Sequence, residues 1–269
     1  TKTKINKKYL IDYNKKEIIK YNPDYIIISS ETFLHLQQLK FINSVLTNKV
    51  ILIEKPLFHK KKINNKIKLN NKVFVGYNLR FDPIILFLKN YFKANKLNKL
   101  LSLTVYCGSY LPQWRKNINY TKSYSSHSIK GGGVELDLSH EIDYIRWIFG
   151  EFNPIKKINN KISELNIQSN DHLIYLAKFS KKKYLNLTLN YFSKIKQRFM
   201  IIDTKDLTMN VDLVKKTIII KSIENKFFKI KKFKNEIDLS YKNMHLDILN
   251  KNYKNLCSYK NAIETLSYL

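Results

Sequence analysis

Apolar residues obey two different rules along this chain, and the rule changes near residue 100. Before that point they come in short unbroken runs: Tyr25-Ile26-Ile27-Ile28, Val50-Ile51-Leu52-Ile53 and Val73-Phe74-Val75-Gly76-Tyr77. Between the first two runs, Leu34, Leu36, Leu39, Phe41, Ile42 and Val45 fall along one side of a helix predicted over 34–45. Unbroken apolar strands bracketing an amphipathic helix predict a parallel βαβ unit whose sheet is covered on both faces. A further helix is predicted over 84–92, with Pro83 in its first turn, where a missing N–H is tolerated.

Beyond residue 100 the strands alternate. Leu101, Leu103, Val105 and Cys107 oppose Ser102, Thr104 and Tyr106, and Leu185, Leu187, Leu189 and Tyr191 oppose Asn186, Thr188 and Asn190. Leu207, Met209, Val211 and Leu213 repeat the pattern against Thr208, Asn210 and Asp212. Period two describes an open antiparallel sheet with one face on a core and the other wet or against a partner. A helix over 135–149 ends at Gly150, the segment 241–269 reads as helical, and the Lys- and Asn-rich stretch 60–72 reads as a solvated linker or surface helix. The expected fold class is α/β plus α+β. A partial Rossmann-type parallel sheet (1–97) is followed by a domain with an open antiparallel sheet flanked by helices (98–269).

Charge changes this picture less than its size suggests. The net charge is +28, but the lysines spread through the whole chain and heavily outnumber arginine, whose planar fork is the usual reader of phosphates and base edges. No specific nucleic-acid site is therefore expected, only salt-sensitive attraction to polyanions. No apolar run approaches the length of a bilayer span. Cys107 and Cys257 are too few and too far apart for a disulfide framework or a metal site, and no secretion signal opens the sequence. These features predict a cytoplasmic protein with no membrane contact and no metal.

Three clusters carry candidate chemistry. Glu54-Lys55-Pro56 directly follows an apolar strand, as Ser29-Ser30 follows its neighbour, and ligands of open α/β sheets collect outside such carboxyl ends. Pro56 restricts Lys55 to an extended backbone, and a partly desolvated lysine has its pKa drawn down toward the range of a general acid or base. The alternative is an ordinary surface lysine. In Gly131-Gly132-Gly133-Val134-Glu135-Leu136-Asp137-Leu138-Ser139-His140, a triple glycine that permits close approach of backbone to ligand precedes a carboxylate and an imidazole on one side of the predicted helix. Tyr144 and Trp147 share that side, while Leu138, Ile142, Ile145 and Phe149 share another. The alternative for His140 is a hydrogen-bonded core histidine. Tyr110-Leu111-Pro112-Gln113-Trp114-Arg115 either stacks on a flat ring such as nicotinamide or packs at the domain junction. No glycine precedes Gly76, so residues 1–75 hold no G-x-G-x-x-G phosphate turn.

Taken in order, the strand and turn from Pro23-Asp24 to His35, then Glu54-Lys55-Pro56, then Val75-Gly76-Tyr77-Asn78-Leu79-Arg80-Phe81, then the triple-glycine helix resemble the Gfo/Idh/MocA family of sugar oxidoreductases, which includes glucose-fructose oxidoreductase and inositol dehydrogenase. The Tyr110–Arg115 loop, with Lys122-Ser123-Tyr124 and Leu138-Ser139-His140-Glu141, looks most like the branch encoded with bacterial surface-sugar pathways. The resemblance implies NAD or NADP across the first domain and a sugar or nucleotide-sugar hydroxyl held against the second. Lys55 would match the catalytic lysine that polarises the reacting oxygen, His140 the histidine that takes the hydroxyl proton, and Asp137 a carboxylate that orients substrate. Ser30, Thr32, His35, Glu54 and Lys55 would line the cofactor, with Trp114 and Arg115 at its nicotinamide end. Arg80 and Tyr124 would face the sugar, and the antiparallel sheet would pair subunits into a homo-oligomer. The sequence departs from the family in three ways: the glycine-rich opening is missing, which implies N-terminal truncation; Glu31 stands where proline is usual; and Asp137 lies three rather than four residues before His140. The end at Leu269 also falls short of the family's last helix. The competing expectation is a non-catalytic sugar-binding or subunit-pairing remnant.

Overall fold

Three short strands, β1 (Tyr25–Ile28), β2 (Val50–Ile53) and β3 (Lys72–Val75), run parallel and in that spatial order. They belong to a computed structural model that describes residues 14–59, 67–93, 97–180, 182–224, 226–234 and 238–269. After a short α1 (Glu17–Tyr21) and β1, helix α2 (His35–Val45) crosses back to β2 and buries Leu39 and Ile42. Ile51, Leu52 and Ile53 of the inner strand β2 are fully buried, as an unbroken apolar run requires. The equally apolar β1 instead leaves Ile27 48% exposed, because β1 lies at the edge of the sheet. Helix α3 (Pro83–Tyr91) is N-capped by Asp82, whose Oδ1 accepts the Ile84 N–H at 2.9 Å. Of the predicted linker, residues 60–66 lie outside the described residues.

The second sheet has eight strands: β4 (Leu100–Gly108), β5 (Asn153–Asn160), β6 (His172–Ser180), β7 (Lys183–Asn190), β8 (Gln197–Thr204), β9 (Thr208–Asp212), β10 (Thr217–Ser222) and β11 (Phe227–Lys232). Their order is β11-β10-β9-β8-β4-β7-β6-β5. All neighbours are antiparallel except the central β4 and β7, which run parallel. The chain leaves β4, passes through α4 (Val134–Asp137) and α5 (His140–Phe149), then meanders through β5 and β6 before it reaches β7, and a parallel pair needs such a long crossover. Leu103, Leu185 and Met209 fill the inner face, as the alternation predicts, beside Ala177 and Ile202; Leu101 does not, because the register shifts between Leu100 and Ser102 and leaves Leu101 43% exposed.

The segment 241–269 is not one helix. It contains α6 (Leu239–Leu249), a two-residue strand β12 (Cys257–Ser258) and α7 (Tyr259–Tyr268). β12 adds antiparallel to β3, with Cys257 opposite Val75, so the end of the chain completes the first sheet. Met244 and Ile248 of α6 pack on Leu52, Phe74 and Phe81, covering one of its faces. The strands of the two sheets divide near residue 97, but the C-terminal elements return across that line. Among the described residues no helix is long and apolar enough to cross a membrane.

Candidate active site

The carboxyl ends of β1, β2 and β3 form one rim. Glu54 N–H donates to Ile28 O at 2.8 Å and Gly76 N–H to Ile53 O at 2.8 Å, which holds Ser29-Ser30, Glu54-Lys55 and Gly76-Tyr77 side by side. Gly76 leaves room there for the Glu54 carboxylate, which a Cβ would approach to 3.1 Å. The Lys55–Pro56 peptide is cis. Behind the rim, buried His35 braces the turn: its Nε2 faces Ser30 O at 3.0 Å and its Nδ1 faces the carbonyls of Pro56 and Leu57, each at 3.2 Å. Ser30 Oγ donates to Gln38 Oε1 at 2.7 Å.

The helix predicted over 135–149 is broken at Leu138-Ser139, and the break builds the site. Glu141 N–H bonds Leu138 O rather than Asp137 O, so the Asp137 carbonyl accepts instead from Lys55 Nζ at 2.5 Å. This contact carries the ammonium from the rim of the first sheet to the helix over the second. His140 begins α5, buried, with its ring edge-on to Tyr77 at 5.6 Å between centroids. Burial, then the charges of Lys55 and Arg198, hold His140 well below the ordinary histidine range, which makes it a neutral imidazole. Burial also draws Lys55 below the usual lysine range, opposed by the carboxylate of Asp137. An ammonium and a neutral imidazole thus share one cleft, a pairing suited to polarising an alcohol oxygen while accepting its proton.

Asp137 is 3% exposed, its Oδ2 accepts the Tyr191 hydroxyl at 2.6 Å, and its Oδ1 accepts nothing. His140 Nδ1 likewise has no partner among the described residues, so both atoms are open to a polar group of a ligand or a water. Tyr124 joins this group: burial, then the nearby Asp137, raises its hydroxyl pKa. The Arg115 guanidinium lies over the Tyr124 ring at 5.1 Å. Trp114 stands edge-on to Tyr191 at 5.1 Å and donates from Nε1 to Ser109 Oγ at 2.8 Å. The loop carrying both is pinned by Leu111 N–H to Tyr191 O at 2.8 Å. Beside it opens a cavity of about 450 Å³, lined by Trp114, Arg115, Leu138, Lys194, Lys196 and Arg198 among others. Arg198 is tied to buried Glu141 (Nε to Oε1, 2.6 Å).

Lys55, His140, Asp137 and Tyr124 converge, and Glu54 and Ser30 lie on the adjoining rim. Arg80 does not present its guanidinium to a ligand. It is 3% exposed, its Nε and Nη2 donate to Asp143 at 2.8 and 2.7 Å, and it stacks on Trp147 at 5.2 Å. Two of the three glycines are packed against protein: a Cβ on Gly132 would fall 2.2 Å from Tyr124 O, and one on Gly131 would fall 3.2 Å from the Cβ of buried Thr32. Tyr191, Tyr77, Arg198 and Glu141 are site residues that sequence reasoning overlooks. Tyr191 occupies an inward position of an alternating strand, and nothing in that period separates a core tyrosine from one that orients a carboxylate.

For a dinucleotide the fit is to one end. The rim and the Lys55–His140 cleft suit a nicotinamide ring and a reacting carbon, but no glycine-rich phosphate turn occurs among the described residues. No family model matches the sequence, and no curated protein matches it. Solved structures do. The WlbA dehydrogenase from Bordetella pertussis, in complex with NADH and UDP-GlcNAcA, aligns with TM-score 0.70 and 12% identity over 95% of this chain and 77% of its own. Levoglucosan dehydrogenase in complex with NADH aligns at 0.78 and 14%, over 94% and 78%. UDP-N-acetylglucosamine 3-dehydrogenase GnnA from Acidithiobacillus ferrooxidans aligns at 0.72 and 13%, over 97% and 80%. This chain has the fold of these dehydrogenases.

Proposed function

We propose that this chain is an NAD(P)-dependent oxidoreductase acting on a hydroxyl of a sugar or nucleotide sugar, in the manner of the Gfo/Idh/MocA enzymes it resembles. The observation that carries the proposal is the bridge from Lys55 Nζ to the Asp137 carbonyl, which sets an ammonium beside the neutral imidazole of His140. Ser30, Thr32, His35 and Glu54 would form or brace the cofactor edge, with Trp114 near the nicotinamide. The cofactor supplies the hydride acceptor. Lys55 keeps protons beyond the one given to Asp137 and directs one at the substrate oxygen. His140 receives the hydroxyl proton as the carbon–oxygen bond becomes a carbonyl, and Asp137, fixed by Tyr191, orients the sugar. The similar nucleotide-sugar dehydrogenases and the likeness of the 110–124 segment support a place in bacterial surface-sugar biosynthesis.

Subunit pairing through the large sheet is part of the proposal. In register across the strands, Leu176, Ile201, Ile219 and Ile230 face outward, between 36% and 50% exposed, a row that a second copy would cover. The competing reading is a chain that binds sugar or pairs subunits without turnover. Nicotinamide reduction decides between them. Turnover that falls at least about a hundredfold in both Lys55→Met and His140→Asn, in line with loss of general acid–base catalysis, supports the enzyme. Turnover unchanged in either variant removes that residue from the mechanism, and binding of sugar without any turnover favours the second reading.

A further inference from the structure

Arginine is scarce here in a way that makes its positions informative. Among 49 lysines and arginines only four are arginine: Arg80, Arg115, Arg146 and Arg198. Three are neutralised by carboxylates. Arg80 pairs with Asp143, Arg146 with Glu151 and Glu264, and Arg198 with Glu141. Arg115 has no carboxylate of the described residues within ion-pair distance. It lines the cavity beside the Lys55–His140 cleft.

Exposure orders that cavity from floor to mouth. Leu138 is buried and follows Asp137, whose carbonyl holds Lys55 Nζ, and Arg198 is bonded to Glu141, the chain neighbour of His140, so this end abuts the cleft. Lys194 and Lys196 are exposed and mark the mouth, with Lys194 Nζ 3.2 Å from the centroid of the Tyr110 ring. Neither lysine pairs with a carboxylate among the described residues. Trp114 and Arg115, both half-buried, line it between these extremes of exposure. The lining includes no Asp or Glu, so the field inside is cationic, and a neutral sugar would leave it uncompensated. A rigid fork with parallel N–H donors matches two oxygens of one carboxylate or phosphate, which a lysine does not do.

We propose that this cavity selects a substrate bearing an oxyanion: Arg115, with Lys194 and Lys196, holds a carboxylate or phosphate of a sugar derivative while the sugar ring reaches inward to Lys55 and His140. The proposal rests on the oxidoreductase reading for the inward end and on the unpaired cations for the outer end. It assigns Arg115 to the substrate, where the family resemblance assigns it to the cofactor.

Equilibrium titration of the full chain with D-glucose, D-glucuronate, D-glucose 1-phosphate and NADH tests it without requiring turnover. The two anionic sugars should bind at least tenfold more tightly than glucose, with a preference that weakens as salt rises. Arg115→Gln should remove most of that preference, and Lys194→Gln/Lys196→Gln should reduce it. Lys229→Gln/Lys232→Gln, on distant β11, should leave it intact. Equal binding of glucose and the anionic sugars would overturn the proposal. So would an equal loss in the β11 variant, which would mean diffuse attraction to a chain of charge +28. A loss of NADH affinity in Arg115→Gln with glucose 1-phosphate binding unchanged would give Arg115 to the cofactor diphosphate and overturn it too. Because binding alone is read, its failure leaves Lys55-dependent nicotinamide reduction to stand or fall separately.

Discussion

Replacing Arg80 by methionine separates a packing role from a substrate role. In the wild type its guanidinium makes two hydrogen bonds to Asp143, at 2.8 and 2.7 Å, with side chains 3% and 2% exposed, and it lies over the Trp147 ring. Methionine fills much of the volume but strands the Asp143 carboxylate, and removing one partner of a buried pair costs roughly 3–5 kcal/mol. The lost stacking adds about 0.5–1 kcal/mol. Against a stability of about 5–15 kcal/mol, typical of a folded domain, such a loss is readily measured as a lower urea midpoint at an unchanged m-value. The double variant Arg80→Met/Asp143→Leu, which removes both charges, should recover most of the loss, because apolar replacement of a whole buried pair is often neutral or stabilising. Two results would refute the reasoning: a single-variant loss below about 1 kcal/mol, or a double variant less stable than the single. If stability held while sugar affinity collapsed, Arg80 would be a substrate residue after all.

Tyr191→Phe removes the hydrogen bond to Asp137 Oδ2 and leaves a buried carboxylate with neither oxygen bonded, so it should cost roughly 1.5–3 kcal/mol in denaturant unfolding; an unchanged midpoint would mean that Asp137 finds another donor. Gly132→Ala puts a methyl 2.2 Å from Tyr124 O and 2.5 Å from Ser125 O, both backbone atoms, and should destabilise by roughly 1–3 kcal/mol with a matching fall in Tm. A neutral result there would show that the 124–125 backbone yields without cost.

Much of the scaffold is legible in the sequence because it rests on periodicity. The unbroken runs at 25–28, 50–53 and 73–77 supply the three parallel strands, and the alternating Leu103, Leu187 and Met209 all point inward. What the pattern hides is what depends on tertiary contacts. The apolar run of β1 does not announce an edge position. Nor does the period of 135–149 reveal the break at Leu138-Ser139, because both halves remain buried and the compensating donor, Lys55, is 82 residues away from Asp137. The lysine and histidine of the cleft were visible as unusual residues at a strand end and after a glycine run. By contrast, Arg80, which the family resemblance sets against the sugar, is spent on Asp143, a partner no local spacing could supply.

The central claim is that the Lys55 ammonium and the His140 imidazole occupy one cleft, and it can be tested without cofactor or substrate. NMR titration of His140, assigned by the resonance lost in His140→Asn, reads its pKa directly. In the wild type it should lie well below 6.5, and in Lys55→Met it should move upward, since after burial Lys55 is the largest influence that depresses it. A His140 that titrates identically with and without the Lys55 charge would contradict the claim.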